Sequence, residues 1–408
     1  MKMLALAPLT LLTQQSPLAG SGGDPLVERI DVYPAGDPAA VAYDEGRQWL
    51  VSAEGALLRV FDARRPLSDP AAELDAVHVD AAIVELCVDG ERIWVAGGSQ
   101  GLHLVEGSER GLRARPVDDR GDRVCTDVGV SGDALLALFA ARDASLAVAY
   151  DRESLAVLAE TELGAGTAWA LAADGDGAYV AMGTAGLVRV DLEGQALVVR
   201  RGPHAEQAFP RPEGLELEPV LARDVAIGHG PGGERCLWVA GDSGLTEVDL
   251  GQPWSPEMES VPRSLRRRDR PTYACRVAAR GSWVAVGTNA APNAVLDGGA
   301  YNAFGTFGVD GTVGDVDPDQ FVAGQREHLL VFRRGAQGLR LAGEAELAGG
   351  WRGLVLAGGR VFEQHIAEGL IVRRVTPRGL ELESRRSPVG YAAAQGTFSA
   401  ASPERLLL

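Results

Sequence analysis

An all-β fold, a β-propeller of four-stranded blades, is what the sequence predicts, and three observations predict it. A short Val/Ala/Gly-rich segment recurs along the chain, and its first four copies begin 44, 42 and 43 residues apart. Around each copy lie other short alternating or apolar runs, punctuated by Gly, Asp, Ser or Asn, which marks strands joined by tight turns. Helical periodicity is absent throughout. Four short strands every ~40–45 residues is the period of a propeller blade. One blade cannot cover both of its own faces, so blades stack around an axis and leave only short edges exposed.

The repeat is anchored on the apolar residue just before each Val/Ala/Gly strand. The anchors are Leu50 (WLVSAEGALLRVFD), Trp94 (IWVAGGSQGLHLVE), Leu136 (LLALFAARDASLAVAYD), Tyr179 (AYVAMGTAGLVRVD), Trp238 (LWVAGDSGLTEVD), Trp283 (SWVAVGTN) and Phe362 (VFEQHIAEGLIVRRV). A leucine follows most of them by eight residues, as Leu58, Leu102, Leu187 and Leu370. In the second unit the strands are expected near 83–88, 92–97, 101–106 and 111–117. Much of the glycine, 52 residues, is expected in turns that need positive φ.

Blade number is read from the ends. Leu26 to Tyr33 (LVERIDVY) forms one strand ahead of the first full unit. At the other end GYAAAQGTFSAASPERLLL aligns as three strands, with Phe398 at the anchor and Leu406 eight residues on. One N-terminal and three C-terminal strands would make a composite blade that latches the ring, and deleting 391–408 is then expected to destabilise it. Seven complete units plus that blade give eight blades; seven blades, with the tail left over, is the alternative.

Composition bounds the rest. A chain of 408 residues suggests two or three domains, but the repeat makes residues 22–408 a single propeller. The net charge of −17 argues against a nucleic-acid backbone or an anionic membrane surface as partner. No apolar run approaches the ~18–20 residues of a membrane span. Lys2 is the only lysine, so the propeller itself has no Schiff-base or phosphate-loop lysine. Lys2, the ten-residue apolar stretch Met3 to Leu12, and the small residues Ala19-Gly20-Ser21 read as a signal peptide over 1–21, the alternative being an unstructured start to a cytoplasmic protein. The chain is therefore expected outside the cytoplasm: periplasmic, on the cell surface or secreted. Cys87, Cys125, Cys236 and Cys275 are spaced by 38, 111 and 39 residues, with no CxxC and no Cys/His cluster. Two disulfides are possible in an oxidising compartment; four buried thiols packing as small apolar groups is the plainer expectation.

The segments VAGGSQGLHLVE, VAMGTAGLVRVD, VAGDSGLTEVDLGQPWSP and RVFDARRPLSDP resemble the LVIVD-type repeats of bacterial β-propellers. The resemblance covers about four units well. It implies an exported or surface-associated propeller and brings no catalytic motif with it.

Two anchor gaps, of 59 and 79 residues, reveal insertions near 202–219 and 288–327. The first follows a fourth strand and the second separates a second from a third strand. In a four-stranded meander both loop types emerge on one face, so both would crowd one mouth of the channel, where function on rigid scaffolds concentrates. Aligning the innermost strands puts Glu85, Asp127, Asp224 and Arg276 at one equivalent position near that mouth; Val41, Ala170 and Gly353 occupy it in the other units. The functional expectation is a polar ligand site, with Arg276 pairing an anionic group or the carboxylates; the plain alternative is a solvated channel lined with charge. Replacing Arg276 and Asp224 together is expected to abolish binding and spare stability.

Within the second insertion, Asp310, Asp315, Asp317 and Asp319 alternate like the start of a calcium loop. Gln320 stands where that loop needs Gly, and Arg326 stands where it needs Glu, so a solvated acidic turn is the simpler expectation for Asp315, Asp317 and Asp319. None of the six histidines falls in a short metal-binding spacing, GHGPGGE around His229 is a turn, and no GxSxG elbow exists. The basic run Arg266-Arg267-Arg268 with Arg270 is expected to be a solvated loop. Together these features predict a monomeric, non-enzymatic, exported propeller that binds a protein or small ligand at its loop-rich mouth. The competing prediction is a propeller hydrolase or lyase using channel carboxylates with or without a metal.

Overall fold

The computed structural model describes residues 35–387, apart from 109–110, 142–143, 204–219, 264–272, 290–326, 348–349 and 367. The described residues form seven four-stranded antiparallel sheets, each a meander with its strands in chain order from one edge to the other. Blades one to seven span 35–78, 85–118, 124–164, 170–201, 224–263, 273–347 and 351–386. In blade two the strands are Glu85–Asp89, Arg92–Ala96, Leu102–Ser108 and Gly111–Asp118, within two residues of expectation. Gly90 (φ 61°) and Gly281 (φ 55°) turn the chain between first and second strands in a conformation other residues adopt only with strain.

The described residues make seven blades, which corrects the eight expected. First strands of successive blades pack on one another around the axis, and that of blade seven (Trp351–Ala357) packs directly on that of blade one (Ala35–Asp44). No blade stands between them. A Cβ on Gly353 would lie 2.8 Å from Val41, Tyr43 stacks on Phe362 at 4.8 Å, and Ser52 Oγ donates to Gln364 Oε1 at 3.1 Å. The seven anchors counted in the sequence are the seven blades. Both ends proposed for a composite blade, 26–33 and 391–408, lie outside the described residues, as do 1–21 and Arg266 to Arg270.

The core lies between blades. Each of seven apolar clusters is shared by two neighbours: Leu58 and Val60 of blade one meet Leu86 and Ile93 of blade two, and so on to Phe362 and Leu370 of blade seven, which meet Leu50 and Phe61 of blade one. At ~1.5–3 kcal/mol for each large side chain buried, these seams supply most of the drive to close the ring. Trp94 and Trp238 are completely buried in their seams. Trp283 is not their equivalent. It is only partly buried, with the Arg333 guanidinium 5.6 Å from its ring, and Ala285 two residues on occupies the core position. The likeness of SWVAVG to LWVAG misplaced the anchor by one strand repeat.

Candidate ligand site in the central channel

The strand registers place the four predicted charges at one level. Glu85 pairs with Ala96, Asp127 with Leu138, Asp224 with Ala240 and Arg276 with Gly287. Val41, Ala170 and Gly353 pair with Ser52, Ala181 and Gln364 at the same level of the other blades. Every first strand faces the axis, so the seven positions form a belt inside the channel. Ring order puts Glu85 and Asp127, from blades two and three, across the channel from Asp224 and Arg276, from blades five and six.

The belt lies toward one face. Gly183, in the turn between second and third strands of blade four, bridges to Ala222, just ahead of the first strand of blade five. The two kinds of loop that carry the insertions therefore share a face, as the meander requires. The insertions themselves, with Asp310, Asp315, Asp317 and Asp319, fall almost wholly outside the described residues. Among the described residues no group of three or more His, Cys, Asp or Glu is placed to hold a metal ion.

The four charges sense one another. Burial pushes the Glu85 carboxyl up to about 7 although Arg276 opposes the shift. Burial, with Glu85 next, raises Asp127 well above the carboxylate range. Asp224 is also raised by burial, against the pull of Arg276. Burial disfavours the Arg276 cation, but Asp224 and Glu85 hold its pKa above the usual value. Glu85, Asp224 and Arg276 are nevertheless only half-buried, whereas Asp127 is 6% exposed.

Their bonding divides them into two kinds. Asp127 Oδ2 accepts from the Leu171 N–H of blade four at 2.6 Å, and Asp224 Oδ2 accepts from the Val277 N–H of blade six at 2.9 Å. Their other oxygens accept from Val128 and Val225, so each aspartate ties its blade to the next. Glu85 takes one backbone bond, from Leu86 at 3.2 Å. The Arg276 guanidinium makes no hydrogen bond and has no carboxylate within 4.0 Å among the described residues, all of its recorded couplings being longer-ranged. The expectation that Asp224 could be replaced without loss of stability is therefore corrected. At the mouth, Arg223 stacks on Trp169 at 3.8 Å and adds positive charge beside Asp224.

Sequence reasoning missed a second polar cluster, at the seams of blade seven. Glu363, Gln364 and His365 are completely buried there. Glu363 holds Arg373 Nε at 2.8 Å and His365 Nε2 at 3.2 Å, and Gln364 reaches Ser52. The His365 ring lies 4.3 Å from Trp351, whose Nε1 donates to Thr288 O at 3.1 Å. Glu327, raised by burial, accepts from the Gly350 N–H at 2.7 Å. The signal was present: after the anchor, blade seven has Glu-Gln-His where blades two and five have Val-Ala-Gly. The four thiols are free, and burial pushes Cys87 up to about 12 and Cys236 up to about 11.

Of two similar solved structures, the second bears on the fold. The chain is similar to the β-propeller domain of Myceliophteria thermophila Cps50 (Swd1), at 11% identity over 61% of this chain and 79% of that one, with a TM-score of 0.45. It is also similar to the computationally designed Ika8 protein, at 9% identity over 87% and 89% of the two chains, with a TM-score of 0.51. No protein-family model and no curated protein matches the sequence, so the LVIVD-type resemblance stands on the segments quoted above. The chain is a β-propeller.

Proposed function

We propose that the protein is an exported, LVIVD-like binding propeller that engages its ligand or partner at the belt of charges near the inserted mouth. The observation that carries this reading is the convergence of Glu85, Asp127, Asp224 and Arg276, from four separate blades, on one level of a channel otherwise lined there by Val41, Ala170 and Gly353. Export rests on residues 1–21, and no helix among the described residues is long and apolar enough to cross a membrane. Native mass spectrometry of the protein isolated from its own cells tests the site. An adduct on the wild type that disappears from Glu85→Gln/Arg276→Met supports it, and an equal adduct on the variant overturns it. A mature N-terminus near Ser21 supports export; an intact Met1 overturns it.

The reading as a hydrolase or lyase takes support from one observation, the Glu85 pKa near 7, where a general acid or base works best. Turnover of ester, glycoside or uronide substrates that is lost in Glu85→Gln would favour it over binding alone.

A further inference from the structure

We infer that the channel belt takes a small zwitterion of the amino-acid type, its ammonium toward Glu85 and its carboxylate toward Arg276. This rests on the binding site proposed above and gives its ligand a chemical class. Three features carry it.

The aspartates are already committed. Both oxygens of Asp127 and both of Asp224 accept backbone N–H groups, one from the following residue and one from the next blade. The charges left for a ligand are therefore one carboxylate, Glu85, and one guanidinium, Arg276.

Those two stand on opposite walls and do not meet. Glu85 opens the first strand of blade two and Arg276 lies in the first strand of blade six, with blades seven and one between them. They feel each other's charge, yet no carboxylate comes within 4.0 Å of the guanidinium among the described residues. Opposite charges held apart inside a protein are poorly compensated, and each prefers a partner that brings hydrogen bonds with its charge. A zwitterion laid between them in the reverse sense meets both needs at once. A singly charged ligand meets one and leaves the other uncompensated.

The walls differ in potential as well. Asp127 couples to Glu85 on one side, and on the other Arg223, stacked on Trp169, adds positive charge beside Asp224.

The test is calorimetric titration of the full chain with the twenty free α-amino acids, each beside its amide, which keeps only the ammonium, and its N-acetyl derivative, which keeps only the carboxylate. At least one amino acid should bind ten-fold or more tightly than both derivatives. Glu85→Gln should erase its advantage over the N-acetyl form, and Arg276→Gln its advantage over the amide. Near pH 7 the wild type should also release protons on binding, seen as an enthalpy that varies with buffer ionisation, and Glu85→Gln should not. If an amide binds as tightly as its parent and Arg276→Gln leaves it unchanged, the zwitterion is wrong while the site stands. If no probe binds, the zwitterion is wrong; an adduct on the native protein that is lost in the double variant would then keep the site itself.

Discussion

At the residue scale the belt shows how one aligned position serves two ends. Asp127 and Asp224 hold the N–H groups of Leu171 and Val277 in neighbouring blades, and a buried donor left unpaired costs ~1–3 kcal/mol. Asp224→Ala should therefore lower unfolding free energy by about that much in denaturant titration, and Arg276→Met should lower it by less. Glu85 adds a pH dependence of definite sign. Its carboxyl is pushed up to about 7 from an ordinary 4.5, so the folded state keeps a proton that the unfolded chain has lost. That stability is fully present below about pH 4.5 and disappears as pH rises through 7. Wild type should lose stability against Glu85→Gln across this window, by no more than about 1.4 kcal/mol per pH unit. The thiols make a simpler case: with burial raising all four, a thiolate-selective alkylating reagent should modify none quickly in the native protein and all four in denaturant.

At the scale of strands, glycine sets how closely blades approach. Gly287 lies under the Trp351 ring, and a Cβ there would fall 2.8 Å from two ring atoms. Gly287→Ala should therefore destabilise the seam of blades six and seven by ~1–3 kcal/mol, read as a lower denaturation midpoint. Strand positions were the most legible part of the sequence because turns and alternation are local signals. The belt was legible too, since aligning the innermost strands puts Glu85, Asp127, Asp224 and Arg276 at one equivalent position. What the residues at that position bond to was not, because Leu171 and Val277 reach the aspartates through backbone N–H groups, which carry no residue identity. The misplacement of Trp283 has a similar origin: register depends on pairing with Arg276 and its neighbours, and a Trp-Val-Ala triplet cannot report it.

At the scale of the whole molecule, the blade number escaped because local spacing counts units and says nothing of which unit touches which. The contact that decides it, blade seven on blade one, joins residues such as Ser52 and Gln364, 312 positions apart. Phe362 is 1% exposed in that seam, beside Leu50 and Phe61. Phe362→Ala should cost about 3–5 kcal/mol, and loss of the tertiary circular-dichroism signal should track loss of secondary structure in a single transition, since every seam depends on two blades.

That closing contact also dictates a history for each molecule. During synthesis the apolar flank of the first blade, with Val41, Leu50 and Phe61, waits for a partner that is made last. Until then the nascent chain is an open arc with two greasy ends, and closure of so long a loop is slow. Each end can instead find the complementary end of another arc. Yield of monomer should thus depend on how dilute, or how well chaperoned, the newborn chain is kept.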